Sequence, residues 1–279
     1  MIYIDHLSFT YEGSKRAALT ALSMQFEPGS FTGLVGGSGS GKSTLLAAMA
    51  GIIPHFRRGA FYGRVITGGL DTVEVSPLEL ARFAVFAGED PESQLTCDTV
   101  EEEVFFGLEN FGVPHSEIQK RTDEALSLFG LSEQRHRETS ALSGGQQQRL
   151  LLAAATALRP SLLLLDNPSS ELDPAATEAL YEALSTLNKK GITIVAAEQK
   201  LDLLCRVATK LAVLEEGRLI AFGATAEVMA SAFVDGNHGL RLPQLVRLSR
   251  ELEERGLYEG APLLSVAQAE TAVRRLCNA

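Results

Sequence analysis

Residues 36–44 read Gly36-Gly37-Ser38-Gly39-Ser40-Gly41-Lys42-Ser43-Thr44 and fit the pattern G-x-x-x-x-G-K-[ST]. That spacing suits the cradling of phosphate: glycines let successive N–H groups turn inward without a Cβ in the way. A helix start adds partial positive charge there. Lys42 is placed to reach the β- and γ-phosphates of a nucleotide, and the Ser43 hydroxyl can ligate Mg²⁺. A second glycine-rich stretch is Leu142-Ser143-Gly144-Gly145-Gln146. Its N–H groups and the Ser143 hydroxyl could hold another phosphate, or the stretch could be a flexible helix entry. The third element is Asp166, which closes the apolar run Leu162-Leu-Leu-Leu-Leu165. A carboxylate at a strand end beside a phosphate loop suits Mg²⁺; a structural turn Asp is the plainer alternative, with Pro168 close by.

These groups need strands ending at the site and helices starting there. The apolar run from Phe31 to Val35 precedes the loop, and Leu45-Leu-Ala-Ala-Met-Ala50 comes after it as a helix, the context this motif requires. Upstream, Ile2 to Phe9 and Ala21 to Phe26 alternate as short strands around the turn Pro28-Gly29. Tyr11 ends the first strand, where its ring could stack on adenine or simply pack. Strands are also expected at Phe61 to Thr67, Phe83 to Ala87 and Ile192 to Ala197, with a hairpin around Glu216-Gly217.

Capping boxes are expected at Ser76–Glu79, Thr99–Glu102, Ser116–Gln119 and Ser265–Gln268, and Asp173-Pro174 starts a helix. Leu150 to Leu158 is apolar nearly all round, a pattern of burial. After residue 222 the composition shifts to helical stripes at Leu242, Leu245, Val246 and Leu252, then Val266, Ala269, Val273 and Leu276.

The whole chain bounds the reading. Its 279 residues suffice for one large core with an appendage. Mean hydropathy is +0.07, no apolar run approaches the ~20 residues of a membrane span, and the N-terminus lacks a signal-peptide pattern. A cytoplasmic protein is expected, held at a membrane only by a partner. The net charge of −10 argues against a nucleic-acid surface. Cys97, Cys205 and Cys277 lie far apart without metal-ligand spacing, and read as reduced thiols.

Phosphate loop, LSGGQ and apolar strand plus Asp, in that order, resemble the ATPase subunit of ATP-binding cassette (ABC) transporters. The resemblance covers residues 1–225, with 142–146 as the signature and Ser170-Glu-Leu-Asp173 as the D-loop. It is narrower towards the energy-coupling factor (ECF) type of vitamin and metal importers. That rests on Gly51-Ile-Ile-Pro-His-Phe56, Asp90-Pro-Glu-Ser-Gln94, Phe106-Gly-Leu-Glu-Asn110, LSGGQQQR from Leu142 to Arg149, Glu198-Gln-Lys-Leu-Asp202 and Leu242-Pro-Gln-Leu245.

The resemblance implies an α/β P-loop NTPase fold: a RecA-like core with an antiparallel β subdomain and an α-helical subdomain at about 92–158. A C-terminal helical unit at 226–279 would help ATPase subunits pair. It further implies ATP and Mg²⁺ as cofactors, with Ser43 and Asp166 as metal residues and residues 36–44 and Tyr11 on the nucleotide. A second ABC ATPase subunit, in a homo- or heterodimer, would bring its nucleotide to this chain's signature. A transmembrane coupling subunit, docked near Glu89 to Gln94, and a substrate-binding membrane subunit would complete an importer, with this chain on the cytoplasmic face of the membrane.

Three positions depart from the family pattern. Asn167 stands where the family has a catalytic Glu, Gln199 falls at its switch His, and Glu89 at its Gln-loop Gln. An Asn amide can orient water but cannot take its proton, and losing a general base typically costs ~10²–10⁴ in rate. Gln offers only a fixed amide dipole, and Glu89 favours a metal while repelling a phosphate. ATP binding with slow hydrolysis at this chain's own site is therefore expected. The intact signature suits the non-catalytic half of an asymmetric pair. A soluble ABC protein acting on nucleic acid or ribosomes, and a nucleotide-sensing regulator, are the alternatives. The transported substrate is not legible.

Overall fold

The structure is a computed structural model that describes residues 1–231 and 242–277. Its strands are β1 (Ile2–Tyr11), β2 (Leu19–Phe26), β3 (Phe31–Val35), β4 (Gly59–Thr67), β5 (Leu70–Asp71), β6 (Ala84–Ala87), β7 (Leu162–Asp166), β8 (Thr193–Glu198), β9 (Lys210–Glu215) and β10 (Arg218–Ala224). Its first six helices are α1 (Lys42–Met49), α2 (Ile52–His55), α3 (Pro77–Leu80), α4 (Val100–Asn110), α5 (His115–Leu128) and α6 (Gly144–Ala157). Then come α7 (Pro174–Lys189), α8 (Leu201–Val207), α9 (Thr225–Ala230), α10 (Gln244–Glu254) and α11 (Val266–Cys277).

The continuously apolar runs become a six-stranded sheet in the order β10-β9-β3-β8-β7-β6, parallel except for β10. A strand covered on both faces needs apolar residues at every position, not alternate ones. Along β7, Leu163 and Leu165 pack with the helices α4 to α8, while Leu162 and Leu164 face α1 and the second sheet. That second sheet is antiparallel, in the order β2-β1-β4-β5. Its strands alternate between buried and exposed residues, as a one-sided sheet should. Helices α4, α5 and α6 form a helical layer of their own, with Val104, Leu126 and Leu150 fully enclosed. This is the α/β P-loop NTPase arrangement.

The capping boxes at Ser76, Thr99 and Ser265 form as the sequence implies. The one expected at Ser116 does not. Helix α5 starts two residues earlier than that cap requires, behind Pro114, whose extended backbone (φ −53°, ψ 132°) makes it the N-cap. Ser116 is then already inside the first turn, and its hydroxyl cannot serve as the cap.

Residue 226, the expected start of the C-terminal unit, falls inside α9. Of the two later helices, α10 sends Val246 into the large helical cluster, and α10 and α11 enclose Leu263, Ala269 and Ala272 in a small one. Residues 232–241 of that unit, and the Cys277 side chain, lie outside the described residues. Cys97 and Cys205 are free thiols, and burial pushes the Cys205 thiol up to about 12. Among the described residues no helix is long and apolar enough to cross a membrane.

Candidate nucleotide-binding site

Strand register builds the site. Val35 pairs with Glu198, Asp166 with Ala197, and Ala87 with Leu165. The carboxyl ends of β3, β8, β7 and β6 therefore finish in one row, the position where open parallel sheets bind ligands. The segment leaving each strand enters the site: residues 36–44 after β3, Glu89 after β6, Asn167 after β7 and Gln199 after β8.

The phosphate loop is held by its backbone. Gly36 (φ +153°) lies so close to the neighbouring strand that a Cβ there would stand 2.1 Å from the Leu214 carbonyl oxygen. At Gly41 (φ +103°) a Cβ would meet the Ala18 oxygen at 2.8 Å. Only glycine fits these two positions. The Lys42 ammonium donates to the carbonyls of Gly36 (2.9 Å) and Gly37 (3.0 Å) and to Ser40 Oγ at 3.4 Å. Burial lowers the affinity of Lys42 for its proton, and the carboxylates of Asp166, Glu89 and Glu198 oppose that shift.

Asp166 is 5% exposed and its Oδ1 has no hydrogen-bond partner. Burial raises its pKa most, the facing Ser43 hydroxyl lowers it, and the Glu89 charge raises it again. A buried carboxylate oxygen without a donor, opposite a hydroxyl, is a donor set for a hard cation such as Mg²⁺. The residues present fit that ion.

One cavity of about 350 Å³ is lined by Tyr11, Ala18, residues 38–44, Glu89, Asn167 and Gln199. Glu89, Asn167 and Gln199, the three positions expected to depart from the family pattern, thus line the same cavity. Asn167 takes a left-handed backbone (φ 46°), donating its N–H to the Ala197 carbonyl at 2.9 Å and accepting from Ser170 N–H at 3.0 Å. Among non-glycine residues Asn adopts that conformation readily. Glu89 sits on a turn stapled by Gln94, whose amide accepts from Gly88 N–H and donates to the Asp90 carbonyl. Tyr11 packs edge-on against Phe9, and its hydroxyl shares a 3.0 Å hydrogen bond with Thr44.

The signature residues stand apart from this cavity. Leu142 is buried. Ser143 caps α6: its hydroxyl accepts from Gln146 N–H at 3.3 Å, and the Gln146 side chain accepts from Ser143 N–H at 3.0 Å. Here the serine hydroxyl caps the helix, a role that neither the phosphate-ligand reading nor the flexible-entry reading named. A Cβ on Gly144 or Gly145 would lie 2.9 Å from Glu171 atoms, so the helix start packs directly on the D-loop. Asp173 caps α7, accepting from Ala176 N–H at 2.8 Å.

Two residues have a structural role that sequence reasoning did not give them. Gln94 is one; its staple depends on a turn that only the fold defines. The other is Glu198, 2% exposed at the end of β8, which accepts from Ser169 N–H (3.1 Å) and from the Tyr181 hydroxyl (3.0 Å). A larger cleft, about 620 Å³ between α5, α6 and α7, places Arg121, Arg159 and Lys190 far from this chemistry.

Comparison with known proteins agrees with this geometry. The family model described as ABC transporter matches residues 19–170. An ABC transporter ATP-binding protein of Pyrococcus horikoshii is 38% identical over 264 residues, covering 94% of this chain and 93% of the relative. CbiO1 of Clostridium perfringens, described as part of the ABC transporter complex CbiONQ, superposes with a TM-score of 0.73 at 30% identity, covering 90% of this chain and 98% of CbiO1. The ATP-binding cassette MJ0796, solved as a dimer in a post-hydrolysis state with ADP and Pi, gives a TM-score of 0.72 at 25% identity, covering 81% and 99%. With a glycine-bound phosphate loop, a buried Asp opposite Ser43 and these relatives, the chain belongs to the ABC transporter family, as one of its ATP-binding subunits.

Proposed function

We propose that this chain is the catalytically impaired half of an asymmetric ATPase pair in an ECF-type importer of a vitamin or metal. The observation that carries the reading is the cavity wall itself. Asn167 stands beside the phosphate loop where a proton-accepting carboxylate would serve, with Gln199 and Glu89 as its neighbours.

The backbone of residues 36–44 and Lys42 bind the phosphates, and Tyr11 is the candidate contact for the base. Ser43 and Asp166 hold Mg²⁺, which when bound screens phosphate charge. The Asn167 amide can orient a water, and Gln199 can present a fixed amide dipole, but neither can take up a proton near neutral pH. The chain's own site therefore retains ATP and turns it over slowly. Meanwhile the start of α6, Ser143 to Gln146, with Asp173 on the adjoining D-loop, serves the nucleotide of a partner ATPase subunit. CbiO1, part of an ABC transporter complex, and the dimeric MJ0796 support this arrangement. So does the absence, among the described residues, of a membrane-crossing helix of the chain's own. The membrane partners are a coupling subunit and a substrate-binding subunit, with this chain peripheral on the cytoplasmic face and no nucleic acid involved.

Phosphate release, measured for the lone chain and for the chain paired with a consensus cassette, tests the proposal. The lone chain should be slow and the pair active. In the pair, Ser143→Asp should abolish turnover, because it sets a negative charge where the partner's phosphate docks, while Lys42→Ala does less harm. Fast multiple turnover by the lone chain, or equal sensitivity to both substitutions, overturns it. A second reading has Glu89 supplying the missing carboxylate; its place in the cavity wall favours this, and a fast lone chain that Glu89→Gln silences would establish it.

A further inference from the structure

Glu198 is a buried carboxylate that the chemistry above does not use. A buried acid costs stability unless its hydrogen bonds are made, and an apolar residue of similar size is often no worse. Here it accepts from Ser169 N–H at 3.1 Å and from Tyr181 Oη–H at 3.0 Å, and Tyr181 is itself 3% exposed. Strand alternation shows where the side chain goes. Ala197 packs on the α1 face of the sheet and Ala196 on the opposite face. Glu198 is in step with Ala196 and turns away from the phosphate loop towards α7. It is therefore not a stand-in base for Asn167.

Its position links three things. Gln199, the next residue, lines the cavity. Ser169, which Glu198 holds, is two residues after Asn167, which lines the same cavity. Two residues beyond Ser169, Glu171 packs on Gly144 and Gly145 at the start of the signature helix. The grip on Ser169 thus falls midway between the nucleotide cavity and the surface offered to a partner. Tyr181 ties the same carboxylate to α7, whose first residues come directly after Asp173.

We propose that Glu198 is a positioning residue that couples this chain's nucleotide cavity to the D-loop and signature surface, by anchoring Ser169 and Tyr181 on one buried carboxylate. The inference rests on the reading that the cavity binds Mg-ATP. Motion of Asn167 or Gln199 on nucleotide binding passes through Ser169 into residues 170–173 and so to α6. Without the anchor, that segment moves independently of the cavity.

The test combines fluorescent ATP-analogue binding with amide hydrogen exchange over residues 168–173 and 143–147, with and without Mg-ATP. In the parent chain, Mg-ATP should slow exchange in both segments about fivefold or more. In Glu198→Ala the affinity for the analogue should stay within about threefold while most of the slowing disappears. Glu198→Gln, which keeps an accepting oxygen, should restore much of it, and Tyr181→Phe, which removes one donor and leaves the backbone contact, should lose part.

A full exchange response in both Glu198→Ala and Tyr181→Phe overturns the inference. So does a loss of response that merely tracks a loss of nucleotide affinity. If Glu198→Ala does not fold, Tyr181→Phe and Glu198→Gln decide by the same criteria. A parent chain that does not bind the analogue overturns the nucleotide reading, and this inference with it; normal binding with an unimpaired response in the variants overturns this inference alone.

Discussion

At the scale of single residues, Asn167 combines two properties. Its amide cannot act as a base, and its left-handed backbone suits Asn better than most side chains. Asn167→Glu should therefore raise phosphate release at the chain's own site, by up to about 10²-fold, within the range one general base supplies. It should also cost about 1 kcal/mol of stability, because Glu fits a left-handed backbone less well. Parallel steady-state kinetics and urea unfolding would check both; an unchanged rate would mean that Gln199 or Glu89 also limits the step.

Glu198 makes a separate prediction about pH. Burial, the largest cause, raises its pKa above the ordinary 4.5, against the opposing hydrogen bonds from Ser169 and Tyr181. Between the two values the folded chain holds a proton that the unfolded chain has released. The contribution of this group to stability is thus greatest below the ordinary value and declines as pH rises through the raised one. Glu198→Gln should flatten that part of the decline, seen in urea midpoints measured from the ordinary carboxylate value upward.

At the scale of elements, the start of α6 serves two ends. The Ser143 hydroxyl and Gln146 side chain close a reciprocal cap, so Ser143→Ala removes a structural contact as well as a possible phosphate ligand. It should cost about 1 kcal/mol, whereas Ser143→Asp keeps a capping oxygen and should cost less. Thermal unfolding of the two variants beside paired turnover would separate the roles: Asp should be the more stable and the less active. Equal stability would show that the cap contributes little.

At the scale of the whole molecule, the strand ends, phosphate loop and D-loop share one end of the central sheet, and the turn stapled by Gln94 leaves that same end after β6 on its way to α4. Glu92 is exposed on that turn, next to the stapled Asp90 and Gln94. If the turn receives a membrane subunit, Glu92→Lys should lower transport in reconstituted vesicles with the intact complex and leave ATP-analogue binding unchanged. Unchanged transport would place the docking surface elsewhere.

The sequence alone determined the phosphate loop, the buried strand ending at Asp166, the LSGGQ helix start and most caps. Each of these is local: glycine spacing, a continuous apolar run, or a Ser/Thr with Glu or Gln three residues later. Pro114 shows the limit even of local reading, since its extended backbone displaced the Ser116 cap. The resemblance implied that Glu89, Asn167 and Gln199 share one site, but only the tertiary structure brings them to one cavity, because strands β6, β7 and β8 are far apart in the chain and meet only through sheet order and register. The same holds for Glu198. In the sequence it belongs to a stretch that carries the family resemblance but has no role of its own, and its burial against Ser169 and Tyr181 exists only once β8 has been packed beneath α7.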